Sequence, residues 1–224
     1  MQKTSGLVIP TLSIPEQIAK HLVESIMAGR YQPGESLTEK ALSDTFKVSR
    51  APVREALRIL ERDGVVQIVP RHGARVTALQ HHELLEALDI RAVLFGHSAN
   101  LFATNALPEQ IAYICRRVDE LESLIEKSQN GLEYSLASGS IISFITDNCG
   151  NQRLTTLLRQ LDFQVARYRL LGHSTVSMRK ESYAYWRRLV VHLSNRESEA
   201  AERIGREMIL RTRRAAERSF ELTP

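Results

Sequence analysis

Cysteine is scarce: 224 residues contain Cys115 and Cys149 and no other. Neither sits in C-x-x-C or zinc-ligand spacing, which excludes a disulfide framework or a zinc finger and points to a reducing cytoplasm. Long apolar runs are missing as well. Nowhere do about 18 consecutive apolar residues occur, and only Lys3 precedes the short run from Gly6 to Ile14, itself broken by Pro10. Neither a membrane span nor a secretion signal can be read. The chain has no Gly-rich phosphate loop, no H-E-x-x-H and no G-x-S-x-G. Ser177-Met178-Arg179-Lys180 has the letters of S-x-x-K without the accompanying S-D-N or K-T-G. His81 and His82 point to different sides of a helix, while His97 and His173 have no acid or histidine at ligand spacing, which assigns these histidines surface or structural roles. An enzyme reading has no constellation to stand on.

What is present is an ordinary globular composition, 43% apolar and 25% charged, enough for one large or two modest cores. The net charge of +4 is mild, but it is unevenly spread. Residues 47–75 hold seven cations (Lys47, Arg50, Arg54, Arg58, Arg62, Arg71, Arg75) against three acids, an excess equal to that of the whole chain.

Local signals divide the chain in two. Ser13 and Pro15 start a helix whose apolar series Ile18, Leu22, Ile26 runs to Met27 before Gly29 and Pro33-Gly34. Thr38 caps a second helix through Phe46, and Ser49 caps a third from Arg50 to Arg62, closed by Asp63-Gly64. Val65 to Val69 and Ala74 to Thr77 flank the turn Pro70-Arg71-His72-Gly73 and read as a small hairpin. Three helices and a hairpin in that order predict a winged helix-turn-helix over residues 1–78. From Gln80 on, three- and four-residue apolar spacing predicts six helices: His81 to Thr104, Pro108 to Ser128, Glu133 to Cys149, Arg153 to Leu171, Met178 to Leu193 and Glu197 to Phe220. Residues 79–224 are therefore expected to form an all-α bundle, so that the protein is mostly α.

On the third helix Val53, Ala56, Leu57 and Leu60 share one face, while Arg50, Arg54, Arg58 and Arg62 lie between about 60° and 180° from it. One face packs and the other is cationic. Arginine's planar fork suits guanine edges or phosphates, and Ser49 with the first-turn amides adds donors for a phosphate oxygen. Arg71 extends the charge into the hairpin tip.

Pro33-Gly34, the run Leu37 to Leu42, the run Val48 to Gly64 and Arg71-His72-Gly73-Ala74-Arg75-Val76 together resemble the DNA-binding domain of the GntR superfamily of bacterial transcription regulators. The resemblance lies with the FadR-like branch, whose second domain is the all-helical FCD effector domain. There it rests on Arg91 within Asp89 to Leu94, Gly150-Asn151-x-x-Leu154, Ala166-Arg167-Tyr168-Arg169 and Glu197-x-x-Ala200-Ala201. It implies that Arg50 and Arg54 contact operator bases or the adjacent backbone, that Ser49 binds phosphate, that Lys40 lies at the groove edge, and that His72 and Gly73 reach the minor groove.

FCD domains commonly hold a divalent metal through Asp-x-x-x-His and two later histidines, below a carboxylate pocket. Counted from Gly150-Asn151 and along the last two helices, those positions here are Ser138, Ile142, Trp186 and Met208, none a usable ligand. No metal and no other cofactor is expected. The resemblance leaves an effector pocket lined by Ile142, Trp186 and Met208, with hydroxyls from Tyr134 and Ser138, and with Arg91 as the cation for an organic carboxylate or phosphate. The expected function is a cytoplasmic, homodimeric regulator, repressing by occlusion of a palindromic operator on double-stranded DNA. The competing reading is a constitutive architectural DNA binder whose helical domain only dimerises.

Overall fold

The computed structural model describes residues 12–27, 29–70 and 72–221, without the side chains of Met27, Phe163, Ala166, Arg167, Phe220 and Glu221. Lys3, most of the apolar run that follows it, and Arg71 at the hairpin tip lie outside the described residues. The chain divides into two compact units after Ala78.

In the first unit Ser13 and Glu16 form a capping box: the Ser13 amide donates to Glu16 Oε2 at 2.8 Å and the Glu16 amide to Ser13 Oγ at 3.5 Å. Helix α1 (Ile14–Met27) follows, burying Ile18, Ala19 and Leu22. A two-residue strand, β1 (Ser36–Leu37), leads to Thr38, whose hydroxyl accepts from the Ala41 amide at 3.2 Å and starts α2 (Glu39–Phe46). Lys47, left-handed at φ 53°, turns the chain toward α3 (Arg50–Arg62). Ser49 holds the cap position of α3, but its hydroxyl makes no capping bond, contrary to the expectation from sequence. The amphipathic pattern of α3 is realised: Val53, Ala56, Leu57 and Leu60 are buried, each large aliphatic side chain contributing about 1.5–3 kcal/mol.

The expected hairpin forms as β2 (Val66–Val69) and β3 (Gly73–Val76), with Gln67 opposite Arg75 and Val69 opposite Gly73. The sheet extends beyond the hairpin read from sequence. β1 pairs with β3 through Ser36–Arg75 and Leu37–Ala74, giving a three-stranded antiparallel sheet in the order β1-β3-β2.

The second unit is helical: α4 (His81–Asn105), α5 (Pro108–Lys127), α6 (Leu132–Asp147), α7 (Gln152–Val165), a 3₁₀ segment (Ala166–Gly172), α8 (Val176–Ser194) and α9 (Ser198–Glu221). The single helix expected over Arg153 to Leu171 is thus two elements. After Val165 the winding tightens, and the carbonyls freed at its end are satisfied by arginines from α8 and α9. Arg211 Nη1 donates to Gly172 O at 2.9 Å and Arg179 Nη1 to His173 O at 2.8 Å. Helices α4 and α9 pack closely because each carries a glycine at the crossing. A Cβ on Gly205 would stand 3.1 Å from Ala99 Cβ, and one on Gly96 would stand 2.9 Å from Glu202 O. The core of this unit includes Leu88, Phe95, Phe102, Leu121, Ile145 and Trp186. Among the described residues no helix is long and apolar enough to cross a membrane.

Candidate functional site

The first candidate surface is the exposed side of α3 with the adjoining strands. Arg50, Arg54 and Arg58 are exposed along one flank of the helix, as are Ser49 at its start and Lys40 in the first turn of α2. Arg54 is not a free side chain. Its Nε and Nη2 donate to Glu39 Oε1 and Oε2, both at 2.8 Å, a paired fork that joins α2 to α3. Those bonds hold the Glu39 carboxyl below the usual carboxylate range. Arg58 approaches Glu55 more loosely, at 3.8 Å. A groove of about 250 Å³ runs between α3 and the sheet, lined by Glu39, Arg54 and Arg58 on one side and Ile68, Val69 and Gly73 on the other.

His72 is exposed at the turn, its Nδ1 3.0 Å from Pro70 O. Gly73 has an internal reason to be glycine: φ is +89°, and a Cβ there would collide with the Leu37 carbonyl of β1. The seating of β3 against β1 requires it, whatever approaches from outside.

The second candidate lies inside the helical unit. Of the residues expected at the pocket, Arg91, Ser138, Ile142 and Met208 line one cavity of about 20 Å³, room for about one water. Trp186 and Tyr134 are not in its wall. Trp186 is fully buried and its Nε1–H donates to Ser138 Oγ at 3.0 Å, so the serine hydroxyl expected to be offered to a ligand is already engaged. Tyr134 packs edge-on against the His173 ring, centroids 5.0 Å apart, and burial pushes its phenol up to about 12. Arg91 is an ion-pair partner as well as a wall residue: Nε donates to Asp162 Oδ1 at 2.5 Å, while Nη2 is buried without a hydrogen bond.

The rest of the wall was not singled out for the pocket from sequence. Arg169, His173 and Arg211 line the same cavity, with Ser182 beyond them. Burial pulls the Arg169 and Arg211 guanidiniums below their ordinary range. It also drives His173 down to about 3, assisted by the positive charges of Arg211, Arg169 and Arg179. Gly139 makes the room for one of these cations, since a Cβ there would stand 2.6 Å from Arg169 Nη1. A missing side chain opposite a distant arginine leaves no periodic trace, and buried arginine is too rare to be assumed from a pattern.

This side-chain set does not fit a divalent metal. Ser138 offers one neutral hydroxyl, a weak ligand that already accepts from the Trp186 indole, while Ile142 has no ligating atom and Met208 only a soft thioether. Among the described residues no three His, Cys, Asp or Glu gather as a metal site.

Comparison with known proteins covers both units. Residues 14–76 match the family described as bacterial regulatory proteins, gntR family, and residues 86–211 match the FCD domain. The chain is 26% identical over 186 residues to YdhC of Bacillus subtilis strain 168, an uncharacterised HTH-type transcriptional regulator, covering 83% of each. It is 28% identical over 153 residues to the HTH-type transcriptional repressor GlaR of Escherichia coli K12, covering 67% of this chain and 70% of that one. Among solved structures, E. coli McbR/YncC superposes with a TM-score of 0.81 at 20% identity, covering 94% of this chain and 100% of the other, a likeness of fold.

Proposed function

The chain belongs to the GntR family of bacterial regulatory proteins, with an FCD domain as its second part, and we propose that it is a homodimeric repressor of a palindromic operator, relieved or strengthened by a small organic anion. It is a transcriptional regulator, not an enzyme. The observation that carries the DNA-reading surface is α3 itself: its apolar face is buried while Arg50, Arg54 and Arg58 stand exposed beside the sheet. Exposed guanidiniums on a helix narrow enough for the major groove can read base edges, and Lys40 and Ser49 add contacts to the flanking phosphates. His72 and Gly73 continue toward the minor groove. One such helix reads a few base pairs, so a twofold pair is needed for useful specificity.

The cavity at Arg91 supports the effector half of this reading, because a buried guanidinium nitrogen without a partner invites an oxyanion. Binding that favours one arrangement of α4 and α9 over another would shift the population of DNA-competent dimers. The alternative, a constitutive architectural binder, draws on the small size of the cavity and on Trp186 filling the space beside it.

Selection of a binding site from random duplexes, followed by fluorescence anisotropy with and without a panel of organic acids, tests both. A palindromic site whose affinity changes with one acid is expected, with sedimentation reporting a dimer. Operator affinity indifferent to every small molecule would favour the architectural alternative. A monomer bound to a non-palindromic site would overturn the dimeric reading.

A further inference from the structure

We propose that Glu61 is a positioning residue for DNA reading: its carboxylate holds the hairpin of β2 and β3 at a fixed angle to α3, so that the turn reaches the minor groove while α3 occupies the major groove. The inference rests on reading α3 and the hairpin as the DNA-binding surface and goes on to name the residue that sets their mutual geometry.

By charge alone Glu61 is out of place. At 100° per residue it lies about 80° from Val53, between Arg50 and Arg54 in helical phase, on the flank that presents cations. A carboxylate there repels phosphate and costs affinity for DNA unless it serves another end. Glu39 and Glu55 both face arginines, Glu39 taking the fork of Arg54 and Glu55 lying 3.8 Å from Arg58. Glu61 turns to the backbone instead: its Oε1 accepts from the Ile68 amide of β2 at 3.0 Å. Because β2 is an edge strand, alternate amides face away from β3 and need another acceptor.

The bond falls at a particular level of the hairpin. Ile68 stands opposite Ala74 of β3, and Ala74 pairs on its other side with Leu37 of β1, the residue before the Thr38 cap of α2. The ribbon is thus gripped from both edges at one level, by α3 through Glu61 and by the start of α2 through β1. Below that level Thr77 closes the base, its hydroxyl donating to Gly64 O at 2.8 Å and its amide to Val65 O at 3.0 Å. Above it come the Val69–Gly73 pair and the turn. A hairpin held at its base and along one edge can tilt about that edge. From Val65 to Pro70 the strand reaches roughly 17 Å, so a tilt of about 10° moves the turn by about 3 Å, half the ~6 Å width of the minor groove. Glu61 grips the edge that such a tilt would lift from α3.

Glu61→Ala and Glu61→Gln remove the same charge, but only Gln keeps an oxygen that can accept from Ile68, so their comparison isolates the hydrogen bond. Exchange of the Ile68 amide in the full-length protein, read by NMR without DNA, is expected to be about threefold to tenfold faster in Glu61→Ala than in Glu61→Gln, the worth of one hydrogen bond. Equal exchange in the two variants would overturn the proposal and leave the DNA reading of the turn standing. Anisotropy at matched ionic strength then follows each variant on the selected operator with A·T-rich and with G·C-rich flanks. Glu61→Ala is expected to lose most of the flank preference, while Glu61→Gln keeps that of the parent. Adding Glu61→Ala to His72→Ala is expected to cost no further preference, because both act through the turn. Flank preference that is the same in the Ala and Gln variants would overturn the positioning role. A parent and a His72→Ala variant that both ignore the flanks, with Ile68 still exchanging faster in Glu61→Ala, would show a gripped hairpin that does not read the minor groove; there the reading of the turn fails, and the proposal fails with it.

Discussion

Arg54 and Glu39 meet fork to fork, each guanidinium donor 2.8 Å from its own carboxylate oxygen, so that the arginine on the exposed flank of α3 is held by the first turn of α2. The bond fixes the direction of a side chain that would otherwise sample many rotamers, and it places a negative charge beside the cation. Both consequences bear on DNA reading. Glu39→Gln should raise affinity for random duplex, by removing a charge that repels phosphate, while lowering the ratio of operator to random binding several-fold. Arg54→Ala should weaken operator binding by about tenfold, concentrated at one base position per half-site. Anisotropy on operator variants measures both. Equal weakening of Arg54→Ala on operator and random DNA would reassign this arginine to the phosphate backbone.

Gly73→Ala should destabilise the first unit by about 1–3 kcal/mol, because the position combines φ +89° with a collision against the Leu37 carbonyl. Urea denaturation of the variant against the parent reads the change. An unchanged midpoint would mean that β1 moves away from β3 at little cost.

Trp186→Phe should cost about 1–3 kcal/mol and leave the Ser138 hydroxyl without its indole donor. Ser138→Ala in the Trp186→Phe background should recover part of the loss, since the unpaired group is then gone. A double-mutant cycle by thermal denaturation gives the coupling, and strict additivity would remove the hydrogen bond from the account.

Exhaustive dialysis against a chelator should change neither the melting temperature nor operator affinity, because the side chains at Ser138, Ile142 and Met208 do not suit a metal. A fall in melting temperature that zinc or manganese restores would overturn this.

The pH dependence has a sign set by His173. Its pKa is 6.5 when unfolded and about 3 in the fold, so between those values the unfolded chain binds the extra proton and stability falls as the pH drops. Above pH 6.5 the residue contributes no slope. Through the middle of the window the slope approaches about 1.4 kcal/mol per pH unit. His173→Gln should flatten the acid limb of a stability profile by that amount, and an unaltered profile would show that His173 titrates normally in the fold.

Much of the architecture was legible along the chain. Ser13 and Glu16, Thr38, Gly64 and Pro108 mark ends that the structure keeps, and the spacing of Val53, Ala56, Leu57 and Leu60 identified the buried face of α3, because caps and periodicity are local and act within a few residues. Two elements were not legible. β1 is two residues long and exists through its pairing with β3, across a separation no local propensity can encode. The 3₁₀ segment after Val165 has neither proline nor a break in its hydrophobic pattern. What tertiary structure adds is at its far end, where guanidiniums from α8 and α9 take the carbonyls of His173 and Gly172.

The sites divide the same way. That α3 presents arginines outward and that Ser138, Ile142 and Met208 cannot ligate a metal were determined by residue identity and helical phase alone. The partners of those residues were decided by tertiary structure. Arg54 found Glu39, Arg91 found Asp162 on a helix 71 residues on, and Ser138 found Trp186. The cluster of Arg169, Arg179 and Arg211 around His173 likewise has no counterpart in one dimension. Charge compensation is a sum over distances in space, and chain order specifies the charges while the packing of α4, α8, α9 and the 3₁₀ segment specifies the distances.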